Sequence, residues 1–435
     1  MKYIGPNTCF FDAFIENEKG DFPGAEASFI NLKRTYSIDE SGHCVTASLE
    51  NQIPLTEESY YQDEIGGSLR TQEDYNPPLE GVDLLVRANC YPENEEPVTN
   101  TYCEIKIGEF SKKIKVFGDR KFKKFEDGSF KITDPKLFNS IPIRAEYAFG
   151  GKDFEPNPHG RGYIYSPEFD EKYAELNELE QKEREEQATI NAYAPNVEAL
   201  KFSNDKDGEA IEDTIPDIPK DWERKKINED FVNKLLFEID IPNLEFPHDP
   251  FKDPYSPIEP AGFFISPISW SDKLAMGYEV DELVSDLDKF FLGELGTKLY
   301  SYAPDKQHFQ ALPYTLPIEF HNLHQVYPIF SLKLPTERPK AFLSRRDNNL
   351  ELESLEIEQN TIIVDLINMT LEIVYKGYVN LPGPNAMAKD YNAKYLYVYF
   401  DKIGEEISDA DVKQDFQTKK APMERAEKIA MGPPP

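Results

Sequence analysis

The sequence predicts a mainly β, β-rich α+β fold: antiparallel, sandwich-like sheets, a few surface helices and a Pro-rich, irregular central region. Aromatic residues make up 13% of the chain, and β-strands favour them. Apolar and polar residues alternate along most of 27–117, which is typical of antiparallel strands with one buried and one solvated face. Prolines recur every few residues in 242–267, and proline lacks the N–H group that a strand ladder needs.

The clearest strand patterns of the N-terminal third are at 28–33, 82–87, 102–107 and 113–116. Gly108 predicts a turn between the last two. The C-terminal third carries further strand patterns at 341–344, 350–358, 361–368 and 371–379, separated by Asn-rich turns. Short strands joined by such turns indicate a β-meander.

Helix-forming residues are concentrated in the middle of the chain. Residues 168–187 are dense in strong helix formers, above all Glu, without an interior Gly or Pro, and 221–237 form a second helical pattern. These patterns predict four regions: a β-rich N-terminal region (1–165), a helical and loop insert (166–240), a second β-rich region with a Pro-rich start (241–405) and a charged, partly flexible tail (406–435).

The formal net charge is −32, from 80 acidic and 48 basic residues. A surface this negative repels phosphate backbones and anionic lipid, so we expect neither nucleic acid nor membrane as a partner. The charge favours a protein partner with a basic face, or serves solubility alone. The N-terminus lacks the pattern of a signal peptide, no stretch is apolar enough for a membrane helix, and the four cysteines form no CxxC pair. We therefore expect a cytoplasmic protein with reduced thiols.

No pattern in the sequence specifies catalysis. His321 and His324 have the spacing of a helical metal pair, but the glutamate of an HExxH motif is missing and nearby prolines oppose a helix. GxSxG and phosphate-loop motifs are absent. We therefore expect no enzyme activity, no metal and no cofactor. A hydrolase that uses a pair of carboxylates stays open as a less favoured alternative, since 80 acidic residues contain many such pairs.

The segment 141–163 combines paired glycines with charged side chains. Paired glycines permit close approach of the backbone, and Arg144, Glu146 and Arg161 can form bidentate ion pairs that fix a loop. Two interpretations remain open: a loop that caps a sheet through buried ion pairs, or a surface cradle for a segment of another protein.

These residues resemble the bacterial family known as domain of unknown function 2169. The family pattern of a basic and an acidic residue, Ala-Phe-Gly-Gly and Asn-Pro-x-Gly-Arg-Gly matches residues 144–162, with His159 where a small apolar residue is commoner. Residues 116–120 resemble its VxGDR turn, and 78–84 a degraded KPGTD segment. Further similarities are Pro-Asn-apolar-Glu at 195–198, Pro-Ala-Gly-Phe with Pro267 and Trp270 at 260–270, and a leucine–histidine turn at 322–324.

The resemblance implies a non-catalytic adaptor or chaperone of the type VI secretion system. Such adaptors bind a toxic effector protein in the producing cell and help to load it onto the VgrG spike or PAAR tip. A structural component of the secretion apparatus is the alternative from another class. The candidate structural or partner-binding motif consists of Gly118, Asp119, Arg120, Arg144, Glu146, Phe149, Gly150, Gly151, Asn157, Pro158, Gly160, Arg161 and Gly162.

Overall fold

A computed structural model describes most of the chain. The described residues are 2–15, 28–61, 67–94, 96–124, 130–151, 157–162, 239–252, 258–268, 300–345, 352–379, 393–402 and 407–431. The chain divides into two compact units: the first holds Met1–Tyr91, Glu104–Lys112 and Phe263–Pro435, and the second holds Pro92–Cys103 and Lys113–Gly262.

The strands before the undescribed residues 163–238 are β1 (Lys2–Ile4), β2 (Phe10–Ile15), β3 (Ser28–Ile38), β4 (Cys44–Thr46), β5 (Ser59–Tyr60), β6 (Leu69–Thr71), β7 (Val82–Arg87), β8 (Asn89–Cys90), β9 (Asn100–Ile107), β10 (Phe110–Phe117), β11 (Lys121–Lys124), β12 (Phe130–Ile132), β13 (Ile141–Pro142), β14 (Phe149–Gly150) and β15 (Arg161–Gly162). Those that follow it are β16 (Ile239–Asp240), β17 (Leu244–Glu245), β18 (His308–Phe309), β19 (Ile318–His321), β20 (Ile329–Leu332), β21 (Glu337–Arg345), β22 (Leu352–Leu355), β23 (Glu358–Asp365), β24 (Thr370–Val379) and β25 (Ala393–Lys402). Helix α1 spans Asp409–Met431, and short 3₁₀ turns lie at Leu49–Asn51 and Ala145–Tyr147.

The first unit is built on a seven-stranded sheet in the order β18–β7–β23–β24–β3–β2, with β4 beside β3. Only β7 and β23 run parallel among its pairs; the others are antiparallel. Its central strands are rich in β-branched residues, and Ile362, Ile363 and Val364 are completely buried. Such residues pack well on a pleated surface that is covered on both faces.

A four-stranded sheet in the order β1–β25–β21–β22 packs on one face of the seven-stranded sheet. Phe400 of β25 lies 4.0 Å from the guanidinium carbon of Arg34, and its ring meets that of Tyr375 edge-on with centroids 6.1 Å apart. Arg34 also forms an ion pair with Glu337 of β21 (3.2 Å). The two sheets therefore form a sandwich, as the sequence predicts.

The opposite face of the seven-stranded sheet differs from the prediction. Alternation along β3 predicted a solvated face, yet Asn31, Lys33 and Thr35 are completely buried. Residues before and after the undescribed 62–66 reach this face: Gln52 bonds the backbone of Thr35, and Asp74 forms an ion pair with Lys33 (2.8 Å). The prediction of a solvated face was wrong here because, for Lys33 and Thr35, distant residues supply the polar partners that water would otherwise supply.

The predicted C-terminal meander is also wrong. Strands β21 and β22 pair in the four-stranded sheet, whereas β23 and β24 pair in the seven-stranded sheet. The chain changes sheets between Leu355 and Glu358. The turn predicted at Gln359-Asn360 was wrong, because both residues lie within β23, and the one predicted at 347–349 lies outside the described residues. Local alternation carries no information about which sheet a strand joins.

Helix α1 covers part of the four-stranded sheet. Val412 and Phe416 are buried and pack with Ile4, Tyr395 and Tyr397. The sequence had assigned this stretch to a charged tail, since its apolar stripe is sparse. Among the described residues, α1 is too polar to be a candidate for crossing a membrane, and no other helix there is long enough. The predicted helices at 168–187 and 221–237 lie outside the described residues.

The second unit contains a three-stranded sheet, β12–β11–β16, and the pair β10–β17, both antiparallel. The parallel pair β14–β15 joins Phe149 to Arg161 and Gly150 to Gly162. These short pairings bring the two halves of the candidate motif together, across the undescribed residues 152–156.

Candidate functional site

Arg120 anchors the candidate motif to the strand β17. Its guanidinium forms an ion pair with Glu245 and donates to the backbone oxygen of Pro242 (3.0 Å). The guanidinium carbon of Arg120 also lies 3.7 Å from the centre of the Phe117 ring. Burial lowers the pKa of Arg120, but the residue remains a cation at neutral pH. A planar donor fork suits this arrangement of a carboxylate, a carbonyl and a ring.

Asn157 is the centre of the loop. It is completely buried, and its side-chain nitrogen donates to the backbone oxygens of Ala145 (3.1 Å) and Phe149 (2.5 Å). The backbone carbonyl oxygen of Asn157 accepts hydrogen bonds from the N–H groups of Gly151 (2.8 Å) and Gly160 (3.3 Å). One side chain and one carbonyl therefore satisfy four backbone groups that regular strand pairing leaves open.

The glycines of the motif are required by close packing of the backbone. A Cβ atom on Gly150 would lie 2.0 Å from the carbonyl oxygen of Asn157. A Cβ on Gly160 would lie 2.5 Å from the Asn157 side-chain nitrogen and 2.6 Å from the oxygen of Ala148. Side chains at either position would therefore push the loop apart.

Arg161 closes the loop on the side of Asn243. Its guanidinium donates to the side-chain oxygen of Asn243 (2.9 Å), lies 3.6 Å from the carboxylate of Asp119, and lies over the ring of Tyr147 at 4.8 Å. Asn243 in turn donates to Asp119 (3.3 Å) and to the backbone oxygen of Phe117 (3.0 Å). The VxGDR-like turn and the Gly-Arg-Gly turn therefore meet through Asn243.

The other predicted residues lie around this network. Arg144 and Glu146 are half-buried at the 3₁₀ turn, with the Arg144 guanidinium 5.7 Å from the ring of Tyr147. Phe149 is completely buried and meets Phe251 at a centroid distance of 5.8 Å. The remaining positions are backbone sites: Gly118, whose N–H donates to Thr99; Gly151; half-buried Pro158; and Gly162 (φ 83°), which packs against Pro242 and Phe251.

This geometry favours the capping interpretation of the motif. Its best-buried polar groups, those of Arg120 and Asn157, are directed at neighbours in the same unit. The side chains of Asp119 and Arg161 are more accessible, 54% and 29% exposed respectively. The network can hold a loop rigid and can present this carboxylate–guanidinium pair at the surface.

Sequence reasoning missed Asn243 and Glu245. A signal was present, because the Pro-Asn-apolar-Glu pattern assigned to 195–198 recurs at 242–245. Residues 195–198 lie outside the described part of the chain. At 242–245 the Pro carbonyl, the Asn amide and the Glu carboxylate each contact Arg120 or Arg161.

A buried layer of charged residues in the first unit was also missed. Lys33 forms ion pairs with Asp74 and Glu372, both at 2.8 Å. Arg87 adds a longer contact to Glu372 (3.4 Å). Lys376 donates to the backbone oxygen of Asn76 (2.6 Å), and burial lowers the pKa of this lysine to about 8. The layer is covered by protein, which suits a structural role better than contact with a substrate.

The two histidines with metal-like spacing do not converge. His321 lies 3.2 Å from Glu319, whereas His324 accepts the backbone N–H groups of Val326 and Tyr327, both at 3.1 Å. No group of three or more metal-ligating side chains is present within the described ranges.

A family model described as an uncharacterized protein conserved in bacteria, domain of unknown function 2169, matches residues 24–204 and 220–376. Comparison with curated proteins and with solved structures gave no match. The family match covers more than half of the chain and includes the Arg120, Asn157, Arg161 and Asn243 network. The chain therefore belongs to the bacterial family of domain of unknown function 2169.

Proposed function

We propose that this protein is a non-catalytic, cytoplasmic adaptor of the type VI secretion system. It binds a toxic effector in the producing cell, stabilises it and helps to load it onto the VgrG spike or PAAR tip. The observation that carries the proposal is that Arg120 and Asn157, the best-buried polar residues of the family motif, bond neighbours within their own unit. Polar residues that bond neighbours in this way stabilise a scaffold, and a rigid scaffold suits a binding protein.

Charge supports a protein partner. At a net charge of −32, the chain attracts proteins with a basic face over a distance of about 10 Å at moderate ionic strength. The same charge opposes binding of nucleic acid or anionic membrane. Steering of this kind raises the association rate more than it lowers the dissociation rate.

The test is binding between the purified chain and the protein encoded by a toxin gene beside its own gene. We expect the two to co-elute on size exclusion, and we expect the association rate to fall as sodium chloride is raised. An acidic protein of similar size and net charge serves as the control for non-specific electrostatic attraction. An association rate that does not change with sodium chloride concentration would contradict the electrostatic part of the proposal.

Two results would contradict the adaptor function. One is turnover of a substrate by the purified chain that disappears when a single carboxylate or histidine is neutralised, because the protein would then be an enzyme. The other is a fixed stoichiometric amount of the chain in purified spike or sheath particles, because the protein would then be a structural component of the apparatus.

A further inference from the structure

The loop between β19 and β20 and the first residue of β20 expose four consecutive apolar residues: Val326, Tyr327, Pro328 and Ile329. Val326 is 61% exposed and Ile329 60%. Single exposed apolar residues are ordinary on protein surfaces. An uninterrupted exposed run of four is disfavoured unless it serves a function, because it promotes non-specific association. We call residues 322–329 the hairpin tip.

The hairpin tip is held in one conformation by its own hydrogen bonds. The Nδ1 atom of His324 accepts the N–H groups of both Val326 and Tyr327 at 3.1 Å. Asn322 adopts a left-handed conformation (φ 56°), and its N–H donates to the backbone oxygen of Pro328 (2.7 Å). These bonds fix the backbone on both sides of the exposed run.

Ring stacking attaches the tip to the sheet in which β19 pairs with β9 and β20. The His324 imidazole stacks on Phe330 with centroids 4.7 Å apart and planes at 16°. Tyr327 lies 5.0 Å from the same imidazole, and Phe330 itself is only 2% exposed. A loop ordered in advance loses little conformational entropy when a partner covers it. The exposed side chains are thus presented by a rigid support.

The net charge of the chain indicates the chemistry of the partner. Charge next to the tip is mixed: Glu319, two residues before His321, is 42% exposed and lies opposite Lys106 of β9, which forms an ion pair with Glu104 (3.6 Å). The chain as a whole carries −32. A second copy would carry the same charge and be repelled, whereas a protein with basic residues around an apolar recess would be attracted.

We propose that the hairpin tip is the anchor by which this protein binds its partner, with Val326, Tyr327 and Ile329 inserted into an apolar recess rimmed by Lys and Arg. The inference rests on the proposed function, in which that partner is the toxic effector. Aromatic and aliphatic anchors in the centre of an interface contribute most of the binding free energy, and the surrounding charges contribute orientation and rate.

The test compares two double variants that change no charge. Val326→Ser with Ile329→Ser removes the aliphatic side chains of the tip. Leu137→Ser with Ile407→Ser is the matched control, since these residues are 67% and 44% exposed and lie outside the tip. The probe is the purified protein of the neighbouring toxin gene, and the dissociation constant is measured by calorimetry. We expect the tip variant to weaken binding at least tenfold and the control to change it less than twofold.

Each outcome bears on a different proposal. If the wild type binds the toxin and the tip variant binds equally well, the anchor is elsewhere, while the adaptor function stands. If the control weakens binding as much as the tip variant, the tip has no special role and the inference is also overturned. If the wild type does not bind the toxin, the proposed function fails and the inference fails with it. Thermal melting of both variants checks that the fold is intact.

Discussion

His308 has a hydrogen-bond acceptor at each of its ring nitrogens. Nδ1 lies 2.7 Å from the Asp83 carboxylate, and Nε2 lies 2.9 Å from the backbone oxygen of Glu80. Both contacts are satisfied only when both nitrogens carry protons. The hydrogen bond to Asp83 accordingly raises the pKa of His308, against the opposing effect of burial.

A pH dependence of stability follows from His308. Because its folded pKa is above the unfolded value of about 6.5, its stabilisation is complete below that pH and is lost as pH rises through the folded pKa. We expect His308→Gln to lower the free energy of unfolding by about 1 kcal/mol at acidic pH, a modest value because solvent screens the partly exposed ring. The loss should be smaller at alkaline pH, because the wild-type imidazole is then neutral and can donate only one of the two hydrogen bonds. Urea denaturation across this range measures it; a loss that is constant with pH would contradict it.

His324 should make stability depend on pH in the opposite direction to His308. Its Nδ1 is an acceptor for two N–H groups, and burial lowers its pKa. Its contribution is therefore complete above about pH 6.5 and is lost as pH falls through the folded pKa. We expect the amide protection factors of Val326 and Tyr327 to fall on acidification in hydrogen exchange. Protection in the β23–β24 hairpin is the internal reference, and a parallel fall there would indicate general unfolding.

Asn157 is the residue on which the motif loop depends most. Asn157→Ala removes two hydrogen bonds from a completely buried site and leaves the oxygens of Ala145 and Phe149 without this donor. We expect a loss of about 3 kcal/mol in the free energy of unfolding, measured by urea denaturation. The exposed Asn100→Ala is the matched control, with a change of about 0.5 kcal/mol or less. Equal effects of the two variants would show that the loop is not a stabilising unit.

At the scale of elements, the charged layer under the seven-stranded sheet is fixed by β3 and β24. Lys33→Met would leave Asp74 and Glu372 buried without this cation. We expect a loss of about 3–5 kcal/mol in the free energy of unfolding, and partial recovery when Glu372→Gln is added. Lys333→Met, at an exposed position, is the control. Denaturant titration of the three variants measures both effects.

The same elements show what the sequence could and could not predict. The strand patterns at 82–87 and 371–379 agree with β7 and β24, because alternation is a local property. The burial of Lys33 was not predictable from β3 alone, since Asp74 and Gln52 reach that face from distant positions. Assignment of β22 and β23 to different sheets is likewise set by tertiary packing. Helix α1 was missed because only Val412 and Phe416 of its first turns are buried.

The candidate site was also predictable from the sequence only in part. The residues around Asn157 and Arg161 were identified from their pattern, and their grouping in one network agrees with it. Whether that network caps a loop or binds a partner depends on where the polar atoms point, which spacing does not determine. Asn243 was overlooked because a second copy of its motif occurs earlier in the chain.

At the scale of the whole molecule, net charge should affect stability as well as binding. A chain with a charge of −32 repels itself in the compact state, and salt screens that repulsion. We expect the melting temperature to rise as sodium chloride increases from about 10 mM to about 150 mM. Sucrose at equal osmolality is the control for excluded-cosolvent effects. A melting temperature that falls over this range would mean that exposed ion pairs outweigh the repulsion.

The pairing of β1 with β25 has a consequence for synthesis. Lys2, Tyr3 and Ile4 align in parallel with Tyr395, Leu396 and Tyr397, so about 390 residues separate the partners. At translation rates of about 5–20 residues per second, β1 leaves the ribosome tens of seconds before β25 exists. That edge of the four-stranded sheet can close only late in translation or after release, and until then Lys2, Tyr3 and Ile4 lack the strand with which they pair.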